Sequence, residues 1–263
     1  MASDTFAGMQ LIDSHTHIYL HQFDADRKAM LERARNIGVT KFFLPAIDSE
    51  STQAMLKLEE TYPGECFAMM GLHPCSVNEG YKNELELVEQ WLGKRSFSAI
   101  GEIGLDFYWD KTFTDQQYEA FRIQVEWALQ YDLPINIHTR NAMQETINVV
   151  KEFKGRGLKG IIHCFTGSYE SAKQIINTGF LLGIGGVVTY KNAGLAETLS
   201  RIPLEHLVLE TDAPYLTPVP FRGKRNESSY LQYVVSQLSE IYKTTPEDVG
   251  EITSMNCLKL YNQ

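Results

Sequence analysis

Short apolar runs alternate with amphipathic stretches along this chain. Apolar runs bounded by turn residues are typical of strands in a parallel sheet, because such strands are buried on both faces. Eight runs fit that pattern: Leu11–Ile12, Thr40–Ile47, Cys66–Leu72, Phe97–Gly101, Leu133–Ile137, Gly160–His163, Phe180–Gly185 and Leu207–Glu210. The pattern therefore predicts eight parallel strands.

The stretches between the strands carry the end signals of helices. Gly38 follows the predicted helical segment Asp24–Ile37, and Gly179 follows the segment Ser168–Thr178. A capping box lies at Thr114–Gln117, and Thr245-Pro246 stands at the start of the last helix. Strands that alternate with helices favour a parallel sheet, and eight such units favour closure into a barrel. The 263 residues match the roughly 250 of a (β/α)8 barrel. We predict an α/β fold, a single TIM barrel domain over residues 1–263, with its site at the carboxyl ends of the strands.

Polar side chains close several of the predicted strands. They are His15 and His17, Glu102, His138, His163 and Asp212. The carboxyl ends of barrel strands meet at one face, so these residues should converge there. Four imidazoles and two carboxylates in one place predict a site for a pair of divalent metal ions.

The spacing within this set suggests individual roles. His15 and His17 are two residues apart and point to the same side of an extended segment, so both reach one ion. Glu102 lies between glycines with no basic neighbour, and we expect it to bridge two ions. A salt bridge to a neighbouring loop is the alternative for Glu102, because an unpaired buried carboxylate is unfavourable.

The remaining ligands are predicted with named competitors. His138 and His163 end equivalent strands and could ligate a second ion, although either one alone could be a core histidine. Asp212 is predicted to be a catalytic metal ligand that accepts a proton from water, and Glu210 and Thr211 compete with it for that role.

Further residues after the strand ends are candidates for substrate contact. His73 could hold a phosphate or an oxyanion, or cap a turn instead. The other candidates are Asp106 and Tyr108, which could line a groove, and the cations Arg140, Arg222, Lys224 and Arg225, which could bind phosphate oxygens or remain solvated. His21 and His206 receive no chemical role.

Composition narrows the function without deciding it. The net charge of −9 argues against a high-affinity duplex binder, but less against an enzyme that touches few phosphates. Four well-separated cysteines without a C-x-x-C pair argue against a thiolate zinc site and favour a reducing compartment. No secretory signal precedes Gly8, and no apolar run approaches the roughly 20 residues of a membrane span. We therefore expect a cytoplasmic protein.

The chain resembles the TatD-type metal-dependent deoxyribonucleases of the amidohydrolase-like barrels. The motifs that support this resemblance extend over nearly the whole chain: Asp13–His17, Gly71–Pro74, Gly101–Asp106, Ile137–Arg140, His163–Gly167, Glu210–Tyr215 and Arg222–Glu227. The family typically has a proline after the Asn-Glu pair, where this chain has Ser228. We expect that difference to affect a loop and not the chemistry.

The resemblance implies a TIM barrel with two divalent ions and phosphodiester hydrolysis, often as a 3′ exonuclease on DNA. It also implies that His15, His17, Glu102 and Asp212 hold one ion, and that Glu102, His138 and His163 hold the other. The expected partner is single-stranded or 3′-ended DNA, with no obligate protein partner. Relatives have also been linked to DNA repair and to deacylation of mischarged tRNA.

Two other functions remain open from the sequence. A hydrolase of the same barrel class could act on a cyclic amide, lactone or phosphotriester, but many of these bridge their metals with a modified lysine where this chain has Glu102. A metal-holding protein that binds nucleic acid without turnover is the other alternative. The ligand types are compatible with Zn, Mn, Mg, Fe or Co.

Overall fold

The computed structural model describes residues 8–262. Its strands are β1 (Leu11–Asp13), β2 (Val39–Pro45), β3 (Cys66–Met69), β4 (Ile100–Asp106), β5 (Ile135–Arg140), β6 (Gly160–Ile162), β7 (Leu181–Ile184) and β8 (Leu207–Leu209). Its helices are α1 (Arg27–Asn36), α2 (Ser49–Thr61), α3 (Tyr81–Lys94), α4 (Thr114–Gln130), α5 (Met143–Glu152), α6 (Tyr169–Ile176), α7 (Leu195–Leu199), α8 (Leu231–Tyr242) and α9 (Pro246–Tyr261). The predicted absence of a secretory signal concerns residues 1–7, which lie outside the described part.

The strands form a closed (β/α)8 barrel, as predicted. All pairs are parallel, in the orders β1-β2-β3 and β4-β5-β6-β7-β8. Backbone hydrogen bonds cross the two seams between these sheets. Met70 N donates to Ala99 O at 3.1 Å and Gly101 N donates to Met70 O at 3.0 Å, while Ser14 N donates to Leu209 O at 2.9 Å.

Strand β4 is longer than the apolar pattern predicts. The expected range Phe97–Gly101 is wrong, since the strand spans Ile100–Asp106 and contains Glu102 in its interior. Its pairing with β5 continues through Gly104 beside His138. The apolar pattern stops early because the inward positions of this strand carry site residues in place of core side chains.

Most predicted helix ends are confirmed. Gly38 follows α1 with a φ of +90°, the left-handed conformation that glycine adopts without steric penalty. The hydroxyl of Ser168 accepts a hydrogen bond from Ser171 N at the start of α6. Thr245 and Asp248 form a complete capping box at the start of α9.

The predicted capping box at Thr114–Gln117 is wrong, although α4 begins at Thr114 as expected. Thr114 Oγ1 donates to Lys111 O at 2.8 Å and does not cap the helix. Gln117 instead binds the main chain of Asp106, accepting from its N at 2.9 Å and donating to its O at 3.1 Å. The Gln117 side chain, which the motif predicts to cap α4, therefore pairs with the main-chain N–H and C=O of Asp106.

Helix α9 closes the amino-terminal end of the barrel. Its Ser254 hydroxyl donates to Gln10 O at 2.8 Å, and the Tyr261 ring stacks on Phe43 with 4.0 Å between centroids. A buried apolar cluster joins the two parts: Ile12, Phe43, Met69, Ala99, Ile161 and Val208 from the barrel, and Cys257, Leu260 and Tyr261 from α9. The open end of the barrel is therefore the carboxyl end of the strands.

The other helices pack around the outside of the barrel through apolar faces. Helix α3, for example, buries Tyr81, Leu85, Val88 and Leu92. This spacing of three or four residues is that of an amphipathic helix. Across residues 8–262, no helix combines the length and the apolar character that crossing a membrane requires.

Candidate metal centre

Four donor atoms from three parts of the chain converge at the carboxyl end of the barrel. They are His15 Nε2, His17 Nε2, Glu102 Oε2 and Asp212 Oδ1, and the five distances measured among them lie between 3.2 and 3.5 Å. Ligands about 2.1 Å from a tetrahedral zinc ion lie about 3.4 Å apart. This first donor set therefore has the dimensions of a divalent metal site.

A second donor set surrounds the other oxygen of Glu102. Glu102 Oε1 lies 2.9 Å from His138 Nδ1 and 2.8 Å from His163 Nε2, and these two nitrogens are 3.4 Å apart. One carboxylate thus supplies an oxygen to each set. The structure brings together all six predicted ligands, in the two groups that the resemblance implied.

The first donor set is assembled across the seam between β1 and β8. Asp13 accepts hydrogen bonds from Thr211 N at 2.9 Å and from the Thr211 hydroxyl, and Asp212 N donates to His15 O at 2.9 Å. Asp212 has a φ of +54°, a conformation that aspartate tolerates better than most residues. Of the three competing residues, Asp212 faces the donor set, while Thr211 is engaged by Asp13.

Ser228 takes part in the same seam. Its hydroxyl donates to Asp13 Oδ2 at 2.7 Å, and both side chains are fully buried. The difference from the family pattern therefore reaches beyond a surface loop. It touches the carboxylate two residues before His15.

Hydrogen bonds on the remote ring nitrogens fix the tautomers of His15 and His17. His15 Nδ1 donates to Asn136 Oδ1 at 2.8 Å. His17 Nδ1 donates to the Tyr19 hydroxyl at 3.0 Å, because that hydroxyl itself donates to Pro45 O at 2.7 Å. A neutral imidazole with a protonated Nδ1 leaves the lone pair of Nε2 free for a metal. Both rings are thus prepared as ligands.

In His138 the two ring nitrogens have the opposite roles, with the proton on Nε2 and the lone pair on Nδ1. Its Nε2 donates to Asp106 Oδ2 at 2.8 Å, which leaves Nδ1 free toward Glu102. The other oxygen of Asp106 accepts from Tyr108 N at 2.9 Å and Trp109 N at 3.1 Å. Asp106 lines the cavity, as predicted, but its carboxylate is fully engaged in orienting a ligand.

His73 differs from the four candidate ligands although its Nε2 lies 3.3 Å from Glu102 Oε1. Its Nδ1 accepts a hydrogen bond from Cys75 N at 3.0 Å. The proton of the neutral ring must therefore reside on Nε2, which becomes a donor with no lone pair for a metal. The predicted capping role of His73 is confirmed at the turn Pro74–Ser76, and its contact with a phosphate or an oxyanion stays a prediction.

His163 faces a buried carboxyl group on its outer side. Its Nδ1 makes no hydrogen bond and lies 3.8 Å from Glu210 Oε1. That oxygen accepts a hydrogen bond from Cys164 N, whereas Glu210 Oε2 has no partner. Burial raises the pKa of Glu210 to about 8. Glu210 therefore stands behind a ligand and not in the first donor set.

The electrostatics of the centre favour bound cations. Burial opposes the charge on Glu102, but the surrounding imidazoles of His163, His73 and His15 hold its pKa well below the usual value. Burial also lowers the pKa of His163, to about 4, with help from the His15 ring stacked at 3.9 Å. Against the effect of burial, the neighbouring carboxylates raise the pKa of His15 and of His138, that of His138 to about 9. Metal ions bound at these nitrogens would therefore displace protons from them.

A cavity of about 680 Å³ opens above both donor sets. Arg140 and Trp109 line its wall. Tyr108, which was predicted to line a groove here, is not among the described residues that do so. The predicted cations of the loop before α8 point elsewhere: Arg225 pairs with Asp26 at 2.6 and 2.9 Å, Arg222 covers the Tyr190 ring, and Lys224 lies over Phe221. None of these three is among the described residues that line the cavity.

Three residues that contact the histidine ligands or line the cavity were not predicted from the sequence. Asn136 interrupts the apolar run two residues before His138, and this period of two could have placed it on the same inward face. Tyr19 follows His17 by the same interval. Trp109 gave no periodic signal, because it lies in a loop after β4.

Comparison with known proteins finds metal-dependent hydrolases among the relatives of this chain. The family model described as TatD related DNase matches residues 12–262. An uncharacterized metal-dependent hydrolase of Bacillus subtilis, YabD, is 38% identical over 95% of this chain and 98% of its own. The 3′-5′ ssDNA/RNA exonuclease TatD of Pectobacterium parmentieri is 31% identical over 95% of this chain and 99% of its own.

A solved structure leads to the same conclusion. The crystal structure of YJJV, a TatD homolog from Escherichia coli, superposes with a TM-score of 0.90 at 30% identity, covering 96% of this chain and 98% of that one. The fold and site define a metal-dependent hydrolase that acts on ester bonds. The chain belongs to the TatD related DNase family.

Proposed function

We propose that this chain is a deoxyribonuclease that removes nucleotides from the 3′ end of single-stranded DNA with two divalent cations. The main support is Glu102, whose two oxygens belong to two different donor sets. Two-metal phosphodiester hydrolases hold their ions roughly 3.5–4 Å apart, a distance that one carboxylate bridges. The name of the Pectobacterium relative supports the polarity and the single-stranded substrate.

The residues around the donor sets have defined parts in this reaction. Divalent ions in such sets lower the pKa of water and neutralise phosphate charge. The pKa of Asp212 is lowered, since its hydrogen bond to His17 and the nearby imidazoles outweigh burial, so its carboxylate is ionised and can accept a proton from the attacking water. Burial lowers the pKa of His73, so its neutral Nε2–H donates to a phosphate oxygen. Arg140 on the cavity wall binds a second phosphate oxygen.

The decisive assay is cleavage of a 5′-labelled single-stranded DNA oligonucleotide with Mg, Mn, Zn or Co supplied, and with EDTA as control. A ladder that shortens from the 3′ end and disappears with EDTA is expected. Uncut DNA with every metal, together with hydrolysis of a small ester, lactone or phosphotriester, would contradict the proposal.

Glu102→Gln tests the bridging role within the same assay. The amide keeps the shape of the side chain but loses the charge and one acceptor oxygen, so turnover should fall by at least about 100-fold while the fold is retained. Glu119→Gln on α4, whose side chain is 50% exposed, is the matched control and should leave the rate unchanged. Near-normal cleavage by Glu102→Gln would exclude the two-ion scheme.

A further inference from the structure

Two large aromatic side chains lie exposed beside the metal centre. Tyr108 is 52% exposed and Trp109 is 68% exposed, and their rings meet edge to face at 4.9 Å. Trp109 lines the same cavity as Glu102 and His138. Aromatic side chains beside a cavity that also holds a few polar groups are typical of ligand-binding sites.

The ring pair is held in register with the metal centre by one carboxylate. Asp106 Oδ1 accepts hydrogen bonds from the main-chain N–H groups of Tyr108 and Trp109, while Asp106 Oδ2 orients His138. Asp106 itself is 1% exposed. The distance from the Trp109 segment to the second donor set is therefore fixed by a buried group.

Arg140 adds positive charge to the same corner. Its guanidinium carbon lies 3.8 Å from the Tyr108 ring centroid and 5.1 Å from that of Trp109. Among the ion pairs within residues 8–262, none involves Arg140, so its charge is available to an anion. An apolar ring beside an available guanidinium matches a nucleotide, which joins a flat base to a phosphate.

We propose that Trp109 is a stacking subsite for the 3′-terminal base of a single-stranded nucleic acid, with Arg140 on the adjacent phosphate. This inference rests on the proposed nuclease function and adds a requirement for an unpaired base. Every base offers a π-face, so stacking tolerates any sequence. A base inside a duplex is covered by its neighbours and cannot occupy the ring, so the subsite selects frayed or single-stranded ends.

A cycle of two changes tests this contact. The enzyme is varied as Trp109→Ala and Trp109→Phe, and the oligonucleotide carries either a normal or an abasic 3′-terminal nucleotide. Trp109→Ala should raise KM for the normal substrate about tenfold with kcat retained, and Trp109→Phe should restore most of the loss. The abasic substrate should raise KM of the unaltered enzyme similarly, with little further effect of Trp109→Ala.

The matched control is Tyr131→Ala, an exposed aromatic at the far end of α4, which should leave KM unchanged. An equal KM penalty from Trp109→Ala on normal and abasic substrates would overturn the proposal, because the ring would then act without the base.

Binding without turnover separates this inference from the proposed function. In EDTA, a single-stranded oligonucleotide should quench tryptophan emission of the unaltered protein and not that of Trp109→Ala, while a blunt duplex of equal length should quench neither. Cleavage of single strands without this quenching would refute the stacking subsite alone. Quenching without cleavage under any metal would refute the nuclease while supporting the subsite.

Discussion

At the scale of single residues, the partner of one imidazole nitrogen decides what the other nitrogen can do. His15, His17 and His138 each donate from the remote nitrogen to an acceptor, and each therefore turns a lone pair toward Glu102 or Asp212. His73 accepts at its remote nitrogen and so presents a proton. These histidines are therefore either metal ligands or hydrogen-bond donors, depending on the partner of the nitrogen that faces away from the site.

Replacing Asp106 by Asn should weaken metal binding at the second donor set. The amide NH2 group, when turned toward His138 Nε2–H, opposes the tautomer that leaves Nδ1 free. Loss of such an orienting carboxylate lowers metal affinity about 10- to 100-fold, measured by calorimetry or by competition with a chromogenic chelator. Asp110→Asn, an exposed neighbour in the same loop, is the control, and equal affinities in both variants would contradict the orienting role.

Ser228→Ala should destabilise the chelated protein in a pH-dependent way. Burial raises the pKa of Asp13 to about 6, against the opposing hydrogen bonds from Thr211 and Ser228. The pKa of Asp13 in the folded protein lies above its value of about 3.9 in the unfolded chain. The free energy of unfolding therefore falls as the pH rises from about 3.9 through the folded pKa and Asp13 becomes ionised. Without the hydroxyl the folded pKa rises further, so the stability loss of about 1 kcal/mol should be larger at pH 7.5 than at pH 5.

Urea titrations at the two pH values measure this difference. Ser236→Ala, whose hydroxyl donates only to a helix carbonyl at Gln232, should show a loss independent of pH. The same behaviour in Ser228→Ala would mean that the bond to Asp13 does not favour the charged form.

At the scale of elements, a glycine on β7, Gly183, leaves room for the side chain of Glu210, which follows β8. Gly183 on β7 pairs with Val208, and a Cβ placed on Gly183 would lie 2.1 Å from Glu210 Oε2. The absence of a side chain at Gly183 therefore leaves the space that the Glu210 carboxyl group occupies. Glu210, and through it the ring of His163, depends on that space.

Gly183→Ala should consequently lower the free energy of unfolding by about 1–3 kcal/mol, as overpacking of a close-packed interior does. Gly93→Ala in α3 has no neighbouring atom within 4 Å of the added Cβ and should stabilise by about 0.5–1 kcal/mol. Chemical denaturation compares the two. An unchanged stability in Gly183→Ala would show that Glu210 can move aside without loss.

The number and order of the strands could be predicted from apolar runs, but the extents of β4 and β5 could not, since β5 was expected at Leu133–Ile137 and spans Ile135–Arg140. A strand end is marked by loss of the apolar pattern only where its inward side chains enter the core. In β4 those inward positions hold Glu102 and Asp106, so the pattern stops before the strand does. Likewise the predicted capping box failed because Gln117 has a long-range partner that local spacing does not encode.

At the scale of the whole molecule, the convergence of the six candidate metal ligands could be predicted, because barrel topology brings the strand ends together whatever the conformation of the loops. The orientation of the loop cations could not be predicted. Arg225 follows a strand end, yet it pairs with Asp26 near α1, and only the packing of α1 against that loop shows this. The position of a residue could thus be predicted where strand topology determines it, and not where a long-range side-chain partner does.

Metal binding should stabilise the entire fold. Ions that bind the native state raise its stability by about 2.7 kcal/mol at 100 times the dissociation constant, so adding Mn or Zn to chelated protein should raise Tm with increasing concentration. His17→Ala removes one donor of the first set and should reduce the shift, whereas His21→Ala, outside both sets, should not. Equal shifts in both variants would place the stabilising ion elsewhere.

The seam between β1 and β8 has a consequence for the order of events during protein synthesis. His15 and His17 leave the ribosome early, but their carboxylate partner Asp212 follows β8, the last strand to be made. Asp212 N donates a hydrogen bond to His15 O. The first donor set cannot exist on a nascent chain until translation has passed Asp212. Metal acquisition at that set is therefore confined to late synthesis or afterwards, when the barrel can close around it.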